Sequence, residues 1–451
     1  MRPNQINYLF TYFDAYLGPI YFLVFLFLIT RWKKKYYKNS PISKYIVPGF
    51  IAKMIGCVLL AMLFHFYYGQ GDIHNYYTGE VEIWNAFSYN PKYGLELIFQ
   101  HLDNCSPKAQ EFAYHMAYKE FSEQTAYMFR IAGFIGLFCF GSYLPTAMVF
   151  TTLSFLGSWR IFKCFYEEFP KYHKYIAIGC LFVPSSVVWG GNILKDPLCI
   201  FGMGLMVTSM YDIIKKRFTL YSLAEMAVGA FILLVLKAYI FYVLIATLLI
   251  TLYHVFIVNG SRKKLRIGFK TVLYLSLAVF LYWYSENSVQ IGDLIFEKFT
   301  QKAEIIQGAI SSLSQGDNGS AYEIPNVTDY SPWGILRSYL ISLSTTLFRP
   351  FLWESNNLIA FLNAIESFMV LILTLFVMIK HGFIKFFTFA GTKPILMFGL
   401  VFTLLFAPLV GFISFNFGTL IRYKLPMVPF YYTYILVLWA SIKHKQAVSN
   451  G

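Results

Sequence analysis

The chain has 451 residues, of which 57% are hydrophobic, 20% aromatic and only 13% charged, a composition that excludes an ordinary soluble globule and indicates a polytopic membrane protein. Its formal net charge of +14 sits in short Lys/Arg clusters at the ends of apolar runs, so the partners it points to are membrane lipids with anionic headgroups and no nucleic acid. The six cysteines (Cys57, Cys105, Cys139, Cys164, Cys180, Cys199) stand singly without a CxxC pair, and neither a disulfide framework nor a metal knuckle follows.

The expected fold is all-α: a polytopic transmembrane helical bundle of about eleven spans, forming one integral domain over 1–451. Residues 15–31 form the first span. Arg31-Trp32-Lys33-Lys34-Lys35 after it marks a retained anchor and fixes the cytoplasmic side. The second span, about 45–68, then leaves the hydrocarbon on the other side at Asp72. The segment that follows, 69–126, carries eight acids against Lys92, Lys108 and Lys119, which suits an extracytoplasmic insertion. Within it, Val81–Phe87 and Glu111–Tyr127 mix aromatics with charges in the manner of interfacial helices.

Counting spans back from the basic clusters Lys215-Lys216-Arg217 and Arg262–Arg266 leaves 129–143 as non-spanning and 145–165 as span three. Span four, 175–189, rises into the polar hairpin Trp189-Gly190-Gly191-Asn192-Ile193-Leu194-Lys195-Asp196-Pro197, from which span five descends to Asp212. Irregular polar backbone at that depth must be buried in protein or line a wet cavity. Residues 221–236 and 239–258 form a hairpin with its tip at 236–239, and a further span covers 271–284. A second outer insertion, about 287–356, ends in Phe348-Arg349-Pro350-Phe351-Leu352-Trp353-Glu354. Spans 358–379 and 395–413 and a turn carrying Arg422 precede the last span, which ends at Lys443 and Lys445.

On this topology Asp72, Lys195 with Asp196, Lys237, Arg349 with Glu354, and Arg422 all lie at outer helix ends. An acid at one exit and cations at others suit a phosphate-bearing ligand in the membrane plane and an acceptor arriving from water. Each residue also has a structural reading: Asp72 as a helix cap, Lys195–Asp196 and Arg349–Glu354 as internal ion pairs, and Arg422 snorkelling to headgroups. Lys53 and Glu366 fall inside spans and are expected to face the bundle interior and pair. His74 and His101 do not have metal-ligand spacing.

An acid just after a span in the first outer loop, the Trp-Gly-Gly-Asn-Ile-Leu-Lys-Asp hairpin, the Arg-Pro-x-x-Trp-Glu element and a late Gly-x-x-x-Arg-Tyr turn together resemble the polytopic glycosyltransferases of the GT-C type. The likeness is one of architecture over most of the chain, carried by short motifs. It implies an inverting membrane glycosyltransferase that takes a sugar from a polyprenyl-phosphate-linked donor. The sugar would pass to a lipid, glycan or protein acceptor in cell-envelope glycan synthesis, in a bacterial inner (plasma) membrane with the active site outside. On this resemblance Asp72 is the catalytic base. Lys195, Arg349 and Arg422 receive the departing phosphate, and His74, Tyr76, Tyr77, Trp189, Asp196, Trp353 and Glu354 complete the substrate site. The second acid stays open among Glu80, Glu82 and Asp103, and so does a divalent metal between Asp72 and phosphate. The family's large C-terminal soluble domain is absent, which leaves the acceptor open. Three other classes compete: a surface-polysaccharide polymerase joining lipid-linked repeats, a lipid-linked saccharide transporter or flippase, which calls for polar residues through the full membrane depth, and a purely structural membrane subunit.

Overall fold

The computed structural model describes residues 9–114, 116, 123–258, 332–414 and 416–449. The expected span at 271–284, the Arg262–Arg266 cluster and most of the second insertion lie outside the described residues. What is described is helical, without strands.

In chain order the helices are α1 (Tyr12–Tyr36), α2 (Ile46–Leu63), α3 (Asp72–Tyr89), α4 (Pro91–Phe99), α5 (Pro107–Tyr114), α6 (Glu123–Phe138), α7 (Tyr143–Glu168), α8 (His173–Leu181), α9 (Pro184–Trp189), α10 (Lys195–Ile214) and α11 (Leu220–Tyr253). They continue as α12 (Pro332–Phe348), α13 (Leu358–His381), α14 (Phe383–Thr388), α15 (Pro394–Ile413), α16 (Phe417–Tyr423) and α17 (Val428–Ser449). Six of these stretches are long and apolar enough to cross a membrane: Tyr12–Tyr36, Pro41–Tyr68, Lys195–Ile214, Leu220–Phe256, Leu358–His381 and Pro394–Ile413. The number is eight if the bent pairs Glu123–Phe138 with Tyr143–Glu168 and Phe417–Tyr423 with Val428–His444 each count as one span. The chain is thus an integral membrane protein with fewer continuous spans among its described residues than the eleven expected.

The reasons for the difference are local. Span four is not one helix: Pro184 breaks it into α8 and α9, of 9 and 6 residues, each too short to cross a hydrocarbon core about 30 Å thick. Leu220–Phe256 is one apolar stretch made of two helices joined across a kink, the backbone leaving helical geometry at Lys237 (φ −149°, ψ 74°) inside the expected hairpin tip, so one stretch stands where two spans were expected. Helix α6 meets α7 at 111°. The first insertion is more than surface helices. α3, α4 and α5 enclose a core of their own in which Ile83, Ala86, Leu97, Ile98 and Ala109 are buried, and α3 packs on α6 so closely that a Cβ at Gly136 would stand 2.5 Å from Glu80 Cγ. Asn90 starts α4 by accepting from Lys92 N–H at 3.0 Å, with Pro91 in the first helical turn.

The chain forms two compact units, one of Met1–Tyr242 with Val428–Gly451 and one of Val243–Met427. In the first, α7 and α10 run side by side. Both begin near Asn192, and both end where the Tyr211 hydroxyl donates to Glu168. They touch through glycines: a Cβ on Gly204 would lie 2.5 Å from the Gly157 carbonyl oxygen. Small residues that let backbones approach are the usual means of helix contact where surrounding lipid removes the hydrophobic drive. In the second unit α12 packs on α15, with Tyr339 OH donating to Leu404 O at 2.8 Å and Thr346 Oγ1 to Ala407 O at 2.6 Å.

Because the clash at Gly204 is with backbone, even Gly204→Ala must push α7 and α10 apart, at a cost of about 1–3 kcal/mol. The expected result is a clear fall in the thermal midpoint of the detergent-solubilised protein. Gly391→Ala, where a Cβ meets nothing within 4 Å, serves as the control and leaves the midpoint unchanged.

Candidate functional site

The site is assembled on the break between α9 and α10. Asn192 there is fully buried and takes φ 76°, a left-handed conformation that Asn tolerates better than most residues. Its Oδ1 accepts from Tyr143 OH at 2.7 Å and from Ile193 N–H at 2.8 Å, its Nδ2 donates to Cys57 O at 3.2 Å, and its backbone N–H donates to Thr151 Oγ1 at 3.0 Å. One residue thereby ties the break to α2 and α7, and the chain re-enters helix at Lys195. Lys53 of α2 supports the same break by donating to Ser186 O at 2.7 Å and Ser154 Oγ at 3.3 Å. The expected pairing of Lys53 with Glu366 is not what the structure holds: its partners are neutral oxygens, and Glu366 lies beside Lys424 in the other unit.

Around the start of α10 four charged residues named from the sequence come together. Asp196, nearly fully buried, receives Lys237 Nζ at 2.6 Å from the point where α11 breaks. Lys195 therefore does not neutralise its neighbour Asp196 as a closed pair. It is half-buried, donates to Thr125 Oγ1 at 3.3 Å, and lies within the electrostatic reach of Asp72. Asp72 is the first residue of α3, behind Gly71 at φ 129°, and is half-exposed. Thr125 is in the first turn of α6. The N-termini of α6 and α10 thus meet where Lys195 reaches Thr125, with Asp72 at the start of α3 within electrostatic reach, and the partial positive charge of those helix ends adds to that of Lys195. A carboxylate and an ammonium, both reachable, share that space.

The aromatic and imidazole partners expected beside Asp72 are elsewhere. Tyr76, Tyr77 and His74 point into the helix packing, 5%, 6% and 8% exposed. Tyr76 meets Phe129 edge-on, and Tyr77 meets Tyr143 while donating to Gly141 O at 3.4 Å. Trp189 is also buried, edge-on to Phe64. These rings fill the core and offer no face to a sugar, because period-3.6 spacing turns residues 73, 76, 77, 80 and 83 of α3 inward. Burial, with a smaller push from His65, holds His74 below its usual pKa and therefore neutral. Among the candidates for a second acid, Glu80 is fully buried, accepts from Thr146 Oγ1 at 2.6 Å, and is pushed well above the carboxylate range by burial. It is packed in the core of α3, α6 and α7 and holds its proton to higher pH than an ordinary carboxylate. Asp103 is exposed beside His101 at 3.2 Å.

Arg349, Trp353, Glu354 and Arg422 belong to the second unit. Arg349 Nε donates to Glu354 Oε2 at 3.0 Å and a second nitrogen bonds Oε1, a bidentate pair under which Phe351 N–H also reaches Glu354 at 2.9 Å. The guanidinium lies 5.5 Å from the centroid of the Phe417 ring. Trp353 is 77% exposed and stacks on Phe351 at 4.9 Å, and it is the one expected sugar platform with an open face. Arg422 is half-buried near the end of α16. Lys424, two residues on, was not singled out from the sequence. It is buried and donates to Ser367 Oγ at 3.0 Å and Arg349 O at 3.4 Å. Its place in an Arg-Tyr-Lys run before a membrane helix was the available signal.

Among the described residues no group of three His, Cys, Asp or Glu side chains is placed to hold a metal ion. All six cysteines are buried and free. No protein-family model, curated protein or solved structure matches the chain.

Two outcomes test this description. Lys237→Met leaves Asp196 buried without its cation and is expected to cost about 3–5 kcal/mol, most of it recovered in the double variant Asp196→Leu with Lys237→Met; thermal unfolding of the three proteins measures it. For Glu80 the folded pKa is raised, so the fold binds the extra proton. Its stabilising contribution is complete below the usual carboxylate pKa and is lost as pH rises through the folded value. Glu80→Gln keeps an acceptor for Thr146 and is expected to flatten the decline of the thermal midpoint above the carboxylate range. An unchanged pH profile in Glu80→Gln would mean the wild-type carboxyl is already ionised.

Proposed function

We propose that the protein is a membrane glycosyltransferase of the GT-C type that moves a sugar from a polyprenyl-phosphate-linked donor to an acceptor at the extracytoplasmic face. The observation that carries this reading is the reachable Asp72 beside the reachable Lys195, at the start of a helix long enough to cross the membrane. The resemblance described above supplies the reaction class, and the comparisons with known proteins add nothing for or against it.

In this reaction an acceptor hydroxyl attacks the anomeric carbon from the side opposite the lipid phosphate, the glycosidic C–O bond to that phosphate breaks, and configuration inverts. The hydroxyl proton passes to the Asp72 carboxylate as the new bond forms. Negative charge grows on the departing phosphate, where Lys195, the Thr125 hydroxyl and those helix N-termini oppose it. The buried Asp196–Lys237 pair lies behind Lys195 and keeps the α11 break against the start of α10. Arg349, bound to Glu354, is an architectural residue of the second unit in this scheme.

Purified protein incubated with a panel of polyprenyl-phosphate sugars and lipid or glycan acceptors tests the reading. Turnover of at least one pair is expected. Asp72→Asn retains size and most hydrogen bonding and is expected to lower turnover by roughly 100-fold or more with donor binding intact. Lys195→Ala is expected to weaken the donor by on the order of 2 kcal/mol. Normal turnover in Asp72→Asn removes it as the base, and saccharide binding without turnover for any pair assigns the chain to carriage instead.

A further inference from the structure

The end of the first unit remote from Asp72 holds a cavity of about 840 Å³ that the proposed reaction does not use. Helix α10 separates the two places: Lys195 and Asp196 begin it, and Asp212, near its other end, lines the cavity. Its 20 residues correspond to about 30 Å, the thickness of a hydrocarbon core. The cavity therefore opens at the opposite membrane face, the one that carries Lys33, Lys34 and Lys35 in the last turn of α1.

Its chemistry is mixed in a specific way. The floor is Trp159, 1% exposed, whose Nε1 donates to Tyr37 OH at 2.9 Å and whose ring meets Trp32 edge-on at 6.0 Å. The rim carries Tyr36 and Tyr221, 63% and 69% exposed. Every lining carboxylate is already matched: Glu225 with Arg160 in a bidentate pair, Glu167 with Arg217 at 3.1 Å, and Asp212 with Arg217 at 2.6 Å. Among the described residues the structure places no carboxylate on the remaining lining cation, Lys163. Because Arg217 serves two of the three acids, the lining as a whole is neutral; the positive charge that stands apart is local to Lys163, and the basic turn of α1 adds to it.

Three features select the occupant. Lys163 calls for an anionic group. Tyr and Trp around an opening at helix ends are the composition of a membrane–water boundary, where rings pack on acyl and glycerol groups while hydroxyls stay wet. Helix α1 reaches the cavity with Phe27 and Leu28 still 59% and 52% exposed one to two turns before Trp32, which gives an apolar track for a chain attached to that anionic head. We propose that this cavity is a binding site for the headgroup of an anionic phospholipid drawn from the leaflet on the basic face, its phosphate on Lys163 and its chains along α1. Nothing in this assignment depends on the glycosyl-transfer reading.

The test uses the full chain in phosphatidylcholine nanodiscs containing phosphatidylglycerol with brominated chains, which quench tryptophan at contact. The signal is the difference between the wild type and Trp32→Phe with Trp159→Phe. Quenching is expected to saturate at a few mole per cent of the brominated anionic lipid, to be reversed by unlabelled phosphatidylglycerol, and to need at least five-fold more lipid in Lys163→Ala. Lys163→Arg should restore it, and Lys34→Ala, a surface cation outside the cavity, should move it little. Equal quenching by brominated phosphatidylcholine, an unchanged half-saturation in Lys163→Ala, or an equal loss in Lys34→Ala would each overturn the site in favour of bulk contact or diffuse surface charge. Displacement by millimolar soluble glycerol phosphate would also overturn it, since the ligand would then be a water-borne phosphate.

Discussion

A single buried amide holds the start of α10 where it is. Backbone that leaves helical geometry at membrane depth exposes N–H and C=O groups for which hydrocarbon has no partners, and each orphan costs several kcal/mol. Asn192 answers this with its own side chain, bonding Tyr143, the Ile193 N–H and the Cys57 carbonyl from one position while its backbone N–H reaches Thr151. The break between α9 and α10 thereby becomes part of the packed core shared with α2 and α7. Lys195 and Asp196 leave that break at a defined angle, and the close Gly157–Gly204 contact carries the same alignment along both long helices.

Charge is handled by a different local device at each buried position. Asp14 accepts four hydrogen bonds at 2.8 Å, from Ser142, Leu144 and twice from Thr11, where the N-termini of α1 and α7 lie together. An anion at two positive helix ends needs no counter-ion. Asp196 has Lys237. Lys53 is held by neutral oxygens, including the Ser186 carbonyl within the short α9. Glu80, with one hydroxyl partner, is pushed by burial toward its neutral acid form. Against this background a half-exposed carboxylate beside a half-exposed ammonium, as at Asp72 and Lys195, is the arrangement that buried structure does not require.

The first unit is consequently polar at both ends of the same pair of helices, but with opposite character. At the Asp72 end an acid and a cation face one another among helix N-termini, suited to a reaction that gains and loses charge. At the other end three acids share two arginines, and Lys163 stands apart from them among aromatics, suited to holding an anionic head in place.

Composition alone determined that this is a helical membrane protein, because no soluble fold hides so high a proportion of apolar side chains. It also determined which positions break helices: Pro184, the Gly190-Gly191-Asn192 run and the polar Lys237 all mark real interruptions, since missing donors, absent Cβ atoms and charges in apolar runs act locally. The sequence topology put Asp72 and Lys195 at helix ends lining one site, and the fold brings Lys195 within electrostatic reach of Asp72. Only tertiary packing decided which partner each charge has. Asp196 chose Lys237 over its neighbour Lys195, Glu80 became a core acid, and Tyr76, Tyr77 and Trp189 turned inward. Sequence spacing gives the face of a helix, but whether that face meets protein, lipid or a cavity depends on the helix packed against it. That neighbour is set by contacts such as Glu80 on Gly136, 56 positions apart in the chain.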